Sequence, residues 1–276
     1  MIDKENWWYE EKQGLKLIKF HHFEKHPNFG YFVTTRISGK STGNLSSLNL
    51  GFQDYDTIEN VIENRKLISD SQNIPFNSFV FLRQTHSNNI KIVNESDKAK
   101  GLLLKATAIQ DTDGYILTQR DICPVVMTAD CVPVILFDPI KNIAGIFHAG
   151  WRGTLKLIAQ KGLNIMKNEF DSNPSDVLVS IGPSNGPCCY EVGPEVIDEV
   201  KKVFPNNINE LITNKNNKFY LNLWAANKVQ LLQEGIIENN IIICNACTFH
   251  NPEIFFSYRY SRGITGRMGS GIYFRS

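Results

Sequence analysis

The sequence has no long hydrophobic run; nothing in it approaches the roughly 18–20 apolar residues that cross a bilayer. It has no long basic run either, and its 276 residues carry a formal net charge of only +1. A dedicated nucleic-acid or membrane-surface binder usually shows a basic patch, so neither partner is expected. The opening stretch Met1-Ile2-Asp3-Lys4-Glu5-Asn6-Trp7-Trp8 is charged and aromatic and lacks the apolar core of a secretion signal, which leads us to expect a soluble, cytoplasmic protein. Histidine is scarce. There are six, none in a His-x-His pair, so the ligand pairs of a multicopper cluster are missing. Cysteine also numbers six: Cys123, Cys131, Cys188, Cys189, Cys244 and Cys247. In a reducing compartment, and in a chain long enough to fold without staples, free thiols or metal ligands are expected rather than disulfides.

The chain does have ample core-forming material, at 42% hydrophobic and 21% charged. Residues 1–29 read as a peripheral lead-in, with His21, His22 and His26 facing solvent. Residues 30–276 read as one domain. Its first core strand is Gly30–Thr35, followed by a Gly/Ser/Asn-rich loop over Ile37–Gly51. Asp56-Thr57-Ile58-Glu59 reads as a capping box opening a helix with Val61, Ile62 and Ile68 at helical spacing. Strand-like runs follow at Phe79–Leu82, Ile90–Val93, Tyr115–Leu117, Val125–Thr128, Val134–Phe137, Ile143–Phe147, Val177–Ile181, Ile241–Ile243, Ile254–Ser257 and Ile272–Phe274. Helices are expected over 155–170, from Gly193-Pro194-Glu195, and through Leu221, Ala225, Val229 and Leu232 up to Gly235. The Asn-rich stretch Pro205–Lys218 reads as a surface excursion. Strands outnumber helices and do not alternate with them, so the fold class is α+β, with mixed sheets and packed helices.

Three residues stand at or near the ends of these strands: His86 in Gln84-Thr85-His86-Ser87, Cys131 in Thr128-Ala129-Asp130-Cys131, and His148 in His148-Ala149-Gly150-Trp151-Arg152-Gly153. Two imidazoles and a thiolate suit a zinc ion that keeps one position open for chemistry. Their long separations do not by themselves establish a site. A cysteine between apolar strands is often a buried small hydrophobe, and a histidine before a glycine-rich turn often only packs. Asp130 could orient a ligand, act as a base, or simply serve the turn.

Longer stretches are more specific. Thr128-Ala-Asp-Cys-Val-Pro-Val134, His148-Ala-Gly-Trp-Arg-Gly153 and Gly182-Pro-Ser-Asn-Gly-Pro-Cys-Cys-Tyr-Glu-Val-Gly193 resemble the signatures of the laccase-domain family, also called the multicopper polyphenol oxidase-like or peptidoglycan editing factor family. Ser47–Gly51, Glu63-Asn64-Arg65, Gln84-Thr85-His86, Asp113-Gly114, Ser257-Tyr258-Arg259 and Thr265-Gly266-Arg267 agree in order, so the resemblance runs from about Gly30 to Phe274. It implies one α+β domain, similar to the catalytic domain of a bacterial cytotoxic necrotizing factor. It also implies zinc, with copper as the other candidate, held by His86, Cys131 and His148. The activities it implies are phosphorolysis of adenosine, inosine and methylthioadenosine, and deamination of adenosine, so the partners are a small nucleoside and phosphate. Catalytic roles fall on Cys131, Asp130 and Arg36; substrate contacts fall on Arg36, Asn49, Gln84, Arg152 and Arg267. Arg36 is the favoured phosphate ligand because it ends a strand beside the Gly/Ser loop. Two departures stand out: Ile37-Ser38-Gly39 replaces the usual Gly-Gly after Arg36, and Arg259-Tyr260 replaces the usual paired arginines.

Other readings remain. One is a copper polyphenol oxidase, which the missing His-x-His pairs disfavour. Another is a cysteine hydrolase acting on a peptidoglycan precursor, with Cys131 as nucleophile and His148 as base. A last one is a non-catalytic, metal-stabilised binding protein. Adjacent Cys188 and Cys189 read as turn and packing residues. Cys244-Asn-Ala-Cys247 is a lone CxxC, to which His250 would add one further ligand. Oligomeric state is not legible.

Overall fold

The structure is a computed structural model and describes residues 6–275. In chain order it contains β1 (Trp7–Lys12), β2 (Leu15–Phe20), β3 (Phe29–Thr34), α1 (Ile58–Gln72), β4 (Phe79–Phe81), β5 (Ile90–Ile92), β6 (Gly114–Leu117), β7 (Cys123–Thr128), β8 (Val132–Asp138) and β9 (Ile143–Ala149). Then come α2 (Trp151–Leu155), α3 (Ile158–Phe170), β10 (Leu178–Ile181), β11 (Glu191–Val192), α4 (Pro194–Val203), α5 (Ile208–Leu211), β12 (Ile212–Lys215), β13 (Lys218–Leu221), α6 (Leu223–Gln233), β14 (Ile241–Ile243) and β15 (Met268–Phe274).

Two six-stranded sheets dominate, ordered β1-β2-β3-β15-β7-β4 and β14-β10-β8-β9-β6-β5, with a small β11-β13-β12 sheet beside them. Both large sheets are mixed: β4/β7, β5/β6 and β10/β14 pair in parallel and the remaining pairs are antiparallel. The α+β expectation holds. Strand periodicity explains the layering. On β8, Val132, Val134 and Leu136 face one way, into the core shared with α3, α4 and α6. Ile135 and Phe137 face the other way, against Ile18, Tyr31, Val126 and Ile272 of the first sheet. The far face of that first sheet buries Leu17, Phe32, Phe79 and Val125 beneath Ile68 of α1. The order is therefore helix, sheet, sheet, helices. Among the described residues no helix is long and apolar enough to cross a membrane.

Several sequence expectations are corrected here. The stretch 7–28, expected to be peripheral, supplies two paired strands of the first sheet and a fully buried Trp7. Trp7 and Trp8 lie directly in the β1–β2 pairing, and β1 was missed because charged residues interrupt its alternation. Met1–Glu5 lie outside the described residues. His22 is not solvent-facing: it meets Ser180 Oγ at 2.9 Å, and burial lowers its pKa to about 3. The helix expected over 155–170 begins earlier and breaks at Leu157, whose φ is 58°. At α1 the cap is Thr57, whose side chain accepts from the Asn60 N–H, one residue later than the expected box. Leu221 closes β13 instead of opening α6, whose cap is Asn222. Ile254–Ser257 is irregular, with Phe255 and Phe256 buried as plugs; it is not a strand. Within the Asn-rich excursion lie α5 and β12, and Asn216 and Asn217 take left-handed turn positions between β12 and β13.

This topology brings several strand ends together. β4 runs parallel to β7, so both finish at the same end of the first sheet. The turn after β7 crosses to β8 in the second sheet, and β9 returns antiparallel with Val132 opposite Ala149 and Pro133 opposite His148. The loop after β4 crosses to β5 over the same end.

Candidate functional site

His86 sits in that β4–β5 loop, Cys131 at the β7–β8 crossing, and His148 is the second-to-last residue of β9. Alternation along β9 places His148 on the side of Ala144 and Ile146, between the two sheets. The ligand atoms of all three residues lie within 4.8 Å of one another, with Cys131 Sγ 3.9 Å from His86 Nε2. Gly150 makes this approach possible. A Cβ there would stand 2.8 Å from Cys131 Sγ and 3.0 Å from His86 Cδ2, so only glycine leaves the room. Two of the loops are held in left-handed backbone: φ is 60° at His86 and 89° at Asp130. Such positions in non-glycine residues cost about 1–3 kcal/mol each and persist where surrounding bonds over-determine them.

Asp113 supplies those bonds at one loop. Its carboxylate is fully buried, and Oδ1 accepts from the His86 N–H at 3.1 Å and meets His148 Nδ1 at 2.8 Å. Oδ2 accepts from the Ser87 N–H at 2.8 Å, Ser87 Oγ at 2.7 Å and the Thr85 N–H at 3.1 Å. One carboxylate thus shapes the loop that carries His86 and fixes the ring of His148, leaving Nε2 of His148 to serve as a ligand atom. Burial pushes the Asp113 carboxyl up, but His148 and Ser87 outweigh it and hold it well below the usual range. At Asp130, Oδ1 accepts from Thr248 Oγ1 at 2.6 Å, Oδ2 from the Arg259 N–H at 2.7 Å, and the main-chain carbonyl from the Asn185 N–H at 2.9 Å.

The electrostatics of the trio point the same way. Burial pushes the Cys131 thiol up, yet the neighbouring His148 and then His86 bring it down to about 6. Burial pushes His148 down, while Cys131 and Asp113 raise it to about 9. In metal-free protein between those values, Cys131 is a thiolate beside an imidazolium. Iodoacetamide labelling of Cys131, followed by peptide mass spectrometry, should therefore stay fast as pH falls from 8 towards about 6 and only then slow, since the thiolate is the nucleophile. An ordinary thiol, with a pKa of about 8.5, would already have slowed about eightfold between pH 8 and pH 7.

The trio opens into a cavity of about 600 Å³, within the usual range for small-ligand sites. Its lining includes Gln84, Asp130, Arg152 and Arg267, as the sequence suggested, and also Arg83, Lys105, Tyr190, Tyr258 and Arg259. Gln84 is clamped to β7, with Nε2 donating to the Met127 carbonyl and Oε1 accepting from the Met127 N–H, both at 2.8 Å. Arg267 donates to the carbonyls of Thr265 and Gly266. The Arg152 guanidinium lies 4.2 Å from the Trp151 ring centre and makes no hydrogen bond or ion pair to another described residue. Arg36 and Asn49 do not line the cavity. Arg36 donates to the carbonyls of Ser46 and Pro252 at 2.6 and 2.7 Å and lies over the Phe256 ring. Asn49 is buried, bonding Gly51, Asp56 and the Arg267 N–H. Both residues brace loops. Asp113 and Arg259 were missed as site residues although each lies in a segment that carried the family resemblance.

The profile of the family described as multi-copper polyphenol oxidoreductase laccase matches residues 30–275. The chain is 36% identical over 241 residues to a protein of Bacillus subtilis (strain 168) named purine nucleoside phosphorylase YlmD, covering 87% of this chain and 86% of the relative. It is 30% identical over 244 residues to a protein of an unknown prokaryotic organism named adenosine deaminase RL5, covering 88% and 92%. The crystal structure of YlmD from Geobacillus stearothermophilus superposes with a TM-score of 0.91 at 31% identity, covering 97% of this chain and 99% of that one. A family match over residues 30–275, together with a relative 36% identical over 87% of the chain, means that the chain belongs to the laccase-domain family.

Proposed function

We propose that this protein is a zinc-dependent purine nucleoside enzyme that cleaves adenosine, inosine and methylthioadenosine with phosphate and deaminates adenosine. The observation that carries this reading is the convergence of one thiol and two imidazoles on a cavity walled by arginines. Relatives named purine nucleoside phosphorylase and adenosine deaminase supply the substrate class. His86, Cys131 and His148 are the ligands in this reading; the mixed sulfur and nitrogen donors and the space left by Gly150 suit a small divalent ion with an open position. Bound there, zinc would supply Lewis acidity and would lower the pKa of a water at its open position.

The remaining steps belong to the chain's own residues. In phosphorolysis a phosphate oxygen bonds to C1′ of the ribose while the bond from C1′ to the purine N9 breaks. The base leaves with the proton that the attacking hydrogen phosphate gives up, and the sugar becomes ribose 1-phosphate. Arg152, whose guanidinium makes no hydrogen bond or ion pair among the described residues, and Arg267 hold the phosphate, since guanidinium groups bind it through paired hydrogen bonds. In deamination water adds at C6 and ammonia leaves. Asp130, whose carboxylate oxygens are both already bonded, positions the Cys131 turn.

One observation favours a second reading. A thiol lowered to about 6 beside His148 is what a cysteine nucleophile needs, as in a hydrolase acting on a peptidoglycan precursor. A nucleoside screen separates the two. With protein freed of contaminating phosphorylase, hypoxanthine should appear from inosine only when phosphate is present, and adenosine should yield inosine and ammonia without it. Hypoxanthine release indifferent to phosphate overturns phosphorolysis. A covalent substrate adduct on Cys131 replaces the zinc reading with the hydrolase.

A further inference from the structure

Behind the cavity wall lies a second group of metal-ligating side chains. We propose that Cys188, Cys189, Cys247 and His250 form a second zinc site, closed and structural, that pins the two loops flanking Asp130. Cys188 Sγ is 3.3 Å from Cys189 Sγ, and Cys189 Sγ is 3.3 Å from Cys247 Sγ. His250 Nδ1 is 3.4 Å from Cys188 Sγ and 3.7 Å from Cys189 Sγ. All four ligand atoms fall within 4.8 Å of one another. A tetrahedral zinc with Zn–S of about 2.3 Å and Zn–N of about 2.0 Å needs donors roughly 3.6–3.8 Å apart. The four donors already stand close to that geometry, so only small side-chain shifts are required.

The surrounding backbone is consistent with a thiolate site. The Gly186 N–H donates to Cys247 Sγ at 3.3 Å, the kind of outer bond that steadies a metal-bound sulfur. Gly186 is also where a Cβ would meet Cys188 Sγ at 3.3 Å and Trp224 at 2.7 Å, so glycine admits both. The donors come from two chain segments bridged by main-chain bonds: the Ser184 N–H donates to the Ala246 carbonyl and the Thr248 N–H to the Ser184 carbonyl. Adjacent cysteines had read as packing residues because two neighbours seldom reach one ion. Here both sulfurs lie against the same imidazole. The CxxC reading also changes. Cys244 is fully buried in the core between the sheets and takes no part, and only Cys247 joins the group.

Three thiolates and an imidazole leave no open position, so this ion does no chemistry. Its effect is mechanical. Asn185 and Tyr190, which line the cavity, flank the Cys188–Cys189 turn, and Thr248, next to Cys247, holds Asp130 Oδ1 at 2.6 Å.

Metal content under reducing conditions tests the proposal independently of activity. Wild-type protein should hold about two zinc equivalents, one per site. His86→Ala should keep about one, and Cys188→Ser or His250→Ala, both at exposed positions, should each lose one while retaining the other. Cobalt added to metal-stripped His86→Ala should give the intense near-ultraviolet thiolate charge-transfer band of a tetrahedral multi-thiolate site. Wild type holding a single equivalent that His86→Ala abolishes overturns the proposal. So does an absent cobalt band, or a disulfide among Cys188, Cys189 and Cys247 found by mass spectrometry of freshly purified reduced protein.

Discussion

On the proposed function, Cys131→Ala should empty the cavity of its metal and lower kcat/KM for inosine by about a thousandfold or more, while the protein stays folded. The size follows from what is lost. Two imidazoles alone hold zinc poorly, and a bound ion contributes several kcal/mol of transition-state stabilisation; about 4 kcal/mol corresponds to about a thousandfold. Folding survives because the substitution removes one sulfur at a half-buried position and leaves the bonds of Asp130 to Thr248, Arg259 and Asn185 in place. Metal analysis and steady-state kinetics on the same preparation read both effects. Full activity in this variant would exclude the zinc reading and the cysteine-nucleophile reading together.

The second large effect is expected at Asp113, which touches no substrate. In Asp113→Asn one oxygen is exchanged for a donor, yet the carboxylate now receives three main-chain N–H groups, a hydroxyl and an imidazole. The variant should bind zinc about 10–100-fold more weakly, as expected when an outer partner of a metal-ligating histidine is changed. It should also lose about 3 kcal/mol of stability at pH 7, because a buried charge network is left with an unpaired donor. The sign with pH follows from the depressed carboxyl. A group whose folded pKa lies below its unfolded value of about 3.9 contributes fully above that value and loses its contribution as pH falls towards the folded one. The gap in Tm between wild type and Asp113→Asn should therefore be widest near neutrality and shrink below about pH 4. An equal gap at pH 3 and pH 7 would mean that the Asp113 charge contributes nothing. Chelator competition gives the affinity change separately.

What could be read from the sequence depended on whether a signal was local. The strand ends carrying Cys131 and His148 were legible because β8 and β9 are almost continuously apolar, β8 beginning just after Cys131 and β9 running into the glycine-rich turn at Gly150. The first two strands were not, because Glu10, Glu11, Lys16 and Lys19 interrupt the alternation; Lys19 is buried and reaches the Tyr31 carbonyl and ring, a tertiary solution that no window of sequence reveals. Arg36 looked like a phosphate ligand from its place at a strand end, but its guanidinium turns back to carbonyls on the neighbouring loops. Asp113 and Arg259 were hidden for the opposite reason. Each acts through partners distant in the chain, Asp113 on His148 and Arg259 on Asp130 and Glu191. The second cysteine cluster is likewise invisible to spacing, since 58 residues separate Cys189 from Cys247.

The central claim is that His86, Cys131 and His148 hold the ion on which nucleoside phosphorolysis depends. The most direct measurement follows ribose 1-phosphate by phosphorus NMR, with inosine and phosphate supplied to zinc-loaded, metal-stripped and zinc-restored protein, each beside His86→Ala. The account predicts ribose 1-phosphate from the loaded wild type, none from the stripped protein, recovery on zinc addition, and none from His86→Ala in any state. Equal rates from stripped and loaded wild type, or from His86→Ala, would contradict it.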